Sequence, residues 1–168
     1  GLEIITSSVR RTPADCLSPS IKSLNYLNNV LAKAEAARSG AGEAIMLNLQ
    51  GYVAECTGDN IFYMKQNVWH TPPVAAGILE GITRNVVIKL IRDELGMTVA
   101  ENFFTIFQLY QADEVFLTGS GAEVVPVVKI DSRQVGGGVP GKSTVKIIEL
   151  FRRHVSTHGT PIHKTAKV

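Results

Sequence analysis

The chain places its strand-like segments in clusters rather than singly between helices, and this constrains the fold most. "EAIMLNLQGYVAE" reads as two strands around a Gln50-Gly51 turn. "NIFYMKQNVWHTPP" reads as a second pair turning at Gln66-Asn67 and closed by Pro72 and Pro73. A doubly wound parallel sheet interposes a helix between successive strands, so these pairs argue for an α+β domain instead. Further extended segments are expected in "GLEIITSSVRR", "MTVAENFF", "EVFLTGS" and "EVVPVVKIDSRQV". Pro126 in the last of these has no N–H to give a neighbour and points to an edge strand or a bulge. "FQLYQAD" is short enough for one or two helical turns.

Three longer segments carry helical periodicity. In "SPSIKSLNYLNNVLAKAEA" the apolar positions Leu24, Leu27, Leu31 and Ala34 define one face, with Ser23 as N-cap and Gly40 as the terminating glycine. That places Lys22 near the positive end of a helix dipole, where a cation is slightly unfavourable. "GITRNVVIKLIRDELG" predicts a second helix, with Val86, Val87, Leu90, Ile91 and Leu95 inward and Gly96 as its stop. "STVKIIELFRRHV" predicts a third.

A length of 168 residues suits one domain, and 45% hydrophobic with 19% charged residues is ordinary for a globular one. The net charge of +2, spread along the chain, gives no electrostatic reason for a nucleic-acid partner. Cys16 and Cys56 are expected as reduced thiols, and no stretch approaches the length of a membrane span. A cytoplasmic location is the corresponding expectation. The first residues run into a strand without an initiating methionine, as if a preceding domain were missing. The polar "STHGTPIHKTAKV" reads as a fraying end, so we expect a domain over 1–154 and a tail over 155–168.

Two segments could hold a phosphate. "GGGVPGKS", Gly136 to Ser143, satisfies G-x-x-x-x-G-K-[ST], which would set Lys142 on terminal phosphates and Ser143 on magnesium. Against a nucleotide-binding P-loop stand the polar "DSRQV" before it, the lack of a later strand for the acidic partner, and Pro140 within the cradle. A glycine-rich connection is the plainer reading. In "LEGITR", Gly81 permits close backbone approach, and Ile82 and Thr83 open a helix whose amides suit an anion. Thr83 could equally cap its own helix. His154 and His158 stand four apart, as a metal pair could, but lack a nearby third ligand and suit a solvated helix end.

"YVAECTGDNIF" adds Glu55 at the end of an apolar strand, and "FLTGSGAEVVPV" adds Ser120, Gly121 and Ala122 in a tight loop. A lysine, a strand-end carboxylate, a helix-start anion site and an amide-lined loop together suit pyridoxal 5'-phosphate. Taken in order, "KSLNYLNNVLAKAEA", "GYVAECTGDNIF", "TPP", "LEGITR", "LYQADEVFLTGSGAEVVPV" and "IDSRQVGGGVPGKST" resemble the class IV, or fold type IV, aminotransferases over the chain to about His154. They are most similar to the branched-chain amino-acid aminotransferases.

The resemblance implies a mixed, mostly antiparallel sheet or pseudo-barrel with flanking helices, the cofactor-binding large domain of such enzymes, without their small N-terminal domain. It implies that Lys22 bonds the cofactor and moves the substrate proton, that Glu55 meets the pyridine nitrogen, and that Tyr26, one helical turn on, meets the phenolic oxygen. Leu79 would pack on the ring, and Gly81, Ile82, Thr83 and Ser120 would hold the phosphate. Gly121 and Ala122 would receive the substrate carboxylate. The implied reaction moves an amino group from Leu, Ile or Val to 2-oxoglutarate in a homodimer. D-amino-acid aminotransferases and aminodeoxychorismate lyases share these residues, and a fragment surviving as an inert dimerising domain is the alternative outside enzymes. Cys56 departs from the family's usual glycine, Ser120 and Gly121 from threonine and alanine, and Lys142 from proline.

Overall fold

The computed structural model describes residues 1–159. The expected tail falls largely on residues 160–168, outside the described residues. Nine strands form one sheet: β1 (Leu2–Thr6), β2 (Glu43–Leu47), β3 (Val53–Cys56), β4 (Asn60–Lys65), β5 (Val68–Thr71), β6 (Thr98–Glu101), β7 (Glu114–Gly119), β8 (Glu123–Ile130) and β9 (Arg133–Gln134). Their order is β3-β2-β1-β8-β7-β4-β5-β6, with β9 on β8. Five of the pairings are antiparallel, while β1–β2, β1–β8 and β5–β6 are parallel. The sheet curls into a half-barrel, which bears out the α+β class.

Both expected strand pairs form. Gln66 and Asn67 take positive φ (51° and 63°), the left-handed pair that a two-residue hairpin loop demands. Gly51 turns β2 into β3 at φ 85°. Pro126 departs from its edge-strand expectation. β8 lies between β1 and β7, and Pro126 faces Phe116. Nor is Pro126 bulged: β1 pairs with β8 only from Val127 onward, so Pro126 lies beyond its end, and the register shift between Leu2 and Glu3 leaves Val128 as the extra residue.

Side-chain alternation divides the core between the two faces. Ile61, Tyr63, Val115 and Leu117 point inside the curl with Phe104 and Leu109. Phe62, Met64 and Phe116 point the other way, under α3 (Ile82–Leu95) and α5 (Lys142–Thr157). α3 is as expected, with Val87, Leu90 and Ile91 buried and Gly96 closing it at φ 63°, whereas Val86 and Leu95 sit at the margin. The described residues also form short helices α1 (Ala14–Leu17) and α4 (Ile106–Tyr110), the latter opened by a Thr105–Gln108 capping box.

The helix α2 (Leu27–Arg38) corrects the reading of its periodicity. It begins after Tyr26, not at Leu24, and Ser23 instead accepts from the Asn25 amide within the preceding turn. Leu24, Leu27 and Leu31 are exposed, while Asn29, Ala32 and Ala36 face inward. Small alanines let the helix lie close on Ala44 and Met46 of β2, and longer side chains on that face would hold it off. Gly40 does follow the helix in the left-handed conformation, at φ 72°.

Candidate active site

Lys22, Tyr26, Glu55 and Leu79 line one cleft of about 500 Å³, together with Arg11 and Asn29. Residues 22–26 are not helical, so Tyr26 is not one helical turn from Lys22; the two share the cleft because the segment before α2 bends along its rim. Lys22 is exposed, and its Nζ has no hydrogen-bonding partner among the described residues. The Tyr26 hydroxyl donates to the Thr57 carbonyl, and partial burial raises its pKa, with Arg11 opposing that shift.

Glu55 is the penultimate residue of β3, with its carboxylate turned to the cleft and only 4% of the residue exposed. Its Oε1 accepts from Arg11 Nη2 at 2.5 Å, and its Oε2 accepts from the Leu79 amide and from Asn60 Nδ2, both at 3.1 Å. Burial pushes its pKa up to about 7, against the pull of Arg11, the Leu79 amide and Lys22. The next residue, Cys56, lies in the core on extended backbone, so no glycine is required there.

The surrounding polar groups form a connected frame. Thr57 donates through its amide and hydroxyl to Glu43 Oε1, and Glu43 Oε2 meets Lys33 Nζ at 3.0 Å. Asn29 Nδ2 donates to the Thr57 carbonyl at 2.7 Å, beside the Tyr26 hydroxyl. Asn60 Nδ2 also donates to the Leu79 carbonyl at 2.9 Å. A Cβ on Gly81 would lie 2.2 Å from Asn60 Oδ1, so the close approach that this glycine permits is to Asn60.

The remaining candidate residues are placed beside the cleft rather than in its wall. Gly81 is the N-cap of α3 and supplies no capping side chain, so Ile82 and Thr83 begin the helix with uncapped amides. Thr83 therefore does not cap its own helix. Ser120, Gly121 and Ala122 form the β7–β8 turn. Asn60 links the two regions, since it pairs with Thr118 near that turn and bonds the loop leading into α3.

Of the other motifs, "GGGVPGKS" does not offer a phosphate cradle. Glu114 already accepts from the amides of Ser143 and Thr144, at 3.1 and 2.7 Å, and from the Thr144 hydroxyl at 2.6 Å. A protein carboxylate thus occupies the anion position at the start of α5. The strand ahead of the loop is the two-residue, exposed β9. His154 and His158 stack their rings 4.3 Å apart on the exposed end of α5.

Sequence reasoning missed Arg11, Asn29 and Asn60. Arg11 follows Arg10 in a polar stretch with no periodicity, and only its long-range partners distinguish the two. Asn60 stood within the "TGDN" turn after Glu55, which was its one local signal.

The description "Amino-transferase class IV" fits residues 2–130. A putative branched-chain-amino-acid aminotransferase of Methanocaldococcus jannaschii is 52% identical over 90% of this chain and 52% of its own length. The branched-chain amino acid aminotransferase of Thermobaculum terrenum in its PLP form superposes with a TM-score of 0.91 at 40% identity, over 94% of this chain and 52% of that one. The branched-chain aminotransferase of the thermophilic archaeon Thermoproteus uzoniensis, solved with norvaline, gives 0.88 at 42% identity, over 92% and 51%. The chain spans about half the length of the relatives it matches. It belongs to the class IV aminotransferases.

Proposed function

We propose that residues 1–154 carry the pyridoxal 5'-phosphate site of an aminotransferase that moves the amino group of Leu, Ile or Val to 2-oxoglutarate. The observation that carries this reading is the single cleft shared by Lys22 and Glu55, with Tyr26 and Leu79 on its walls. The donor set fits the cofactor: an unpartnered amine for an aldehyde, a buried carboxylate for a ring nitrogen, and an uncapped helix start nearby for a phosphate. Arg11 Nε, buried and without a partner, leaves one more donor in the cleft wall. The name of the Methanocaldococcus relative supports branched-chain substrates, and the norvaline with which the Thermoproteus enzyme was solved, a straight-chain amino acid, supports an aliphatic side chain.

When bound, pyridoxal phosphate supplies an aldehyde carbon and an electron-withdrawing ring. Lys22 Nζ would hold the cofactor through that carbon, with the aldehyde oxygen leaving as water, and as the free amine it would carry the proton between the substrate's Cα and that carbon. Glu55 would hold the proton on the ring nitrogen through its carboxylate, and Tyr26 would orient the phenolic edge. Leu79 covers the ring face and excludes water. Gly81, Ile82, Thr83 and Ser120 bind the phosphate, and Gly121 and Ala122 bind the substrate carboxylate. The working enzyme is a homodimer.

The test is an absorption spectrum of the full-length protein with added pyridoxal phosphate, then borohydride reduction and peptide mapping. A visible band with the label on Lys22 is the expected result. No band, or a label elsewhere, overturns the assignment.

A further inference from the structure

Arg11 is a buried guanidinium with no part in the roles above, and its surroundings are specific. Its backbone amide donates to the Leu47 carbonyl at 2.9 Å, at the end of β2. Adjacent asparagines at the start of α2 grip its neighbourhood. Asn28 donates to the Arg10 carbonyl at 2.8 Å and accepts from the Thr12 amide at 3.2 Å, while Asn29 Oδ1 accepts from Arg11 Nη1 at 2.7 Å. The other arm of the fork reaches Glu55 Oε1 at 2.5 Å, with side-chain exposures of 9% and 6%. Two charges taken this far from water cost more than a well-packed apolar pair, so stability alone does not account for them.

We propose that Arg11 is a positioning residue: gripped by Asn29, its guanidinium aims the Glu55 carboxylate into the cleft and draws it toward its charged form. This rests on the pyridoxal-phosphate reading. Glu55 is otherwise fixed only through Oε2, by the Leu79 amide and Asn60. The charged or titratable groups coupled to it are Arg11, Lys22, Tyr26 and Cys56, and Arg11 is the one paired to it. Burial already lifts the Glu55 carboxyl to about 7 with Arg11 in place, and without Arg11 it rises further and leaves the carboxyl protonated at neutral pH. A neutral carboxyl cannot keep the ring nitrogen protonated.

The test compares the full-length protein with Arg11→Gln, Arg11→Lys and Glu55→Gln in two readouts. The first is the pH titration of the Glu55 carboxyl carbon by NMR without cofactor, and the second is pyridoxal phosphate affinity by fluorescence quenching. R11Q is expected to move the Glu55 midpoint up by at least about one pH unit, roughly tenfold in its ionised fraction, and to weaken affinity by about tenfold. R11K restores much of the midpoint but less of the affinity, because an ammonium lacks the fork that spans Asn29 and Glu55. An unmoved midpoint in R11Q overturns the proposal. A parent protein that binds no pyridoxal phosphate overturns the functional reading, while the titration still tests the pairing. If R11Q does not fold, adding E55Q decides: restored folding upholds the pairing, and failure to restore it overturns it.

Discussion

Replacing Gly141 by alanine should destabilise the protein although alanine suits its backbone. The residue has φ −71° and ψ 157°, which any L-residue adopts, and at an unobstructed site the change would stabilise by about 0.4–1 kcal/mol through the unfolded chain. The obstruction is Glu114, whose Cδ would lie 2.0 Å from the new Cβ and whose Oε2 would lie 2.3 Å away. The carboxylate must retreat, giving up the amides of Ser143 and Thr144 and the Thr144 hydroxyl. Loss of an N-cap costs about 0.5–2 kcal/mol, and loss of a negative charge at a helix start about 0.3–1 kcal/mol. We therefore expect a net loss of about 1 kcal/mol for G141A, a fall in Tm of about 2–4 °C for a chain of this size. Glu114→Ala should cost a similar amount, because it removes the acceptor that G141A displaces. The assay is urea denaturation of both single variants and the double variant. Because the two changes act through one cap, the double variant should lie close to either single one. Additive losses, or a G141A protein as stable as the parent, would refute the reasoning.

Three further outcomes follow from packing and charge. Because burial holds Glu55 near pKa 7 against an ordinary 4.5, the folded chain keeps a proton that the unfolded chain has released, so stability should fall as pH rises between these values. The loss is about 3 kcal/mol in urea melts without cofactor, and a slope that persists in E55Q contradicts it. Trp69→Phe should cost less than about 1 kcal/mol, because the lost volume is offset by removing Nε1, which is buried without a partner. A loss of about 2 kcal/mol or more in the same melts shows the indole nitrogen to be satisfied. Leu31→Ser should change thermal stability by less than about 0.5 kcal/mol, since the side chain is exposed. A larger loss, read together with a change in sedimentation, would show that another surface covers it.

The strand pairs and α3 were legible because their signals are local: turn residues between apolar runs, and an apolar stripe ended by glycine. The start of α2 was not. Periodicity marks the leucine face correctly as apolar, but the inward face is chosen by Asn29, whose partners Arg11 and Thr57 lie far along the chain. The glycine-rich motif misled for a similar reason, since the group that fills its anion position is Glu114, on a different element. Lys22 and Glu55 were singled out through the resemblance of their motifs to the class IV aminotransferases, since in their own stretches a solvated lysine and a turn-capping carboxylate are the plainer readings. The arginine that joins one of them to α2 carries no local mark.

The placement of β1 bears on how the chain comes to be folded during synthesis. Leu2–Thr6 lies between β2 and β8, and its amide and hydroxyl at Thr6 are tied to Asp131 at 2.6 Å. Its β2 partner follows after some forty residues, but β8 arrives more than 120 later. Until the ribosome has released Asp131, the first strand waits with one edge open, and contacts of such long sequence separation are the slow ones to close. A nascent chain stalled before that point would present this open edge to other strands, so a pause that holds residues 114–131 inside the ribosome should raise aggregation more than one made after they have emerged.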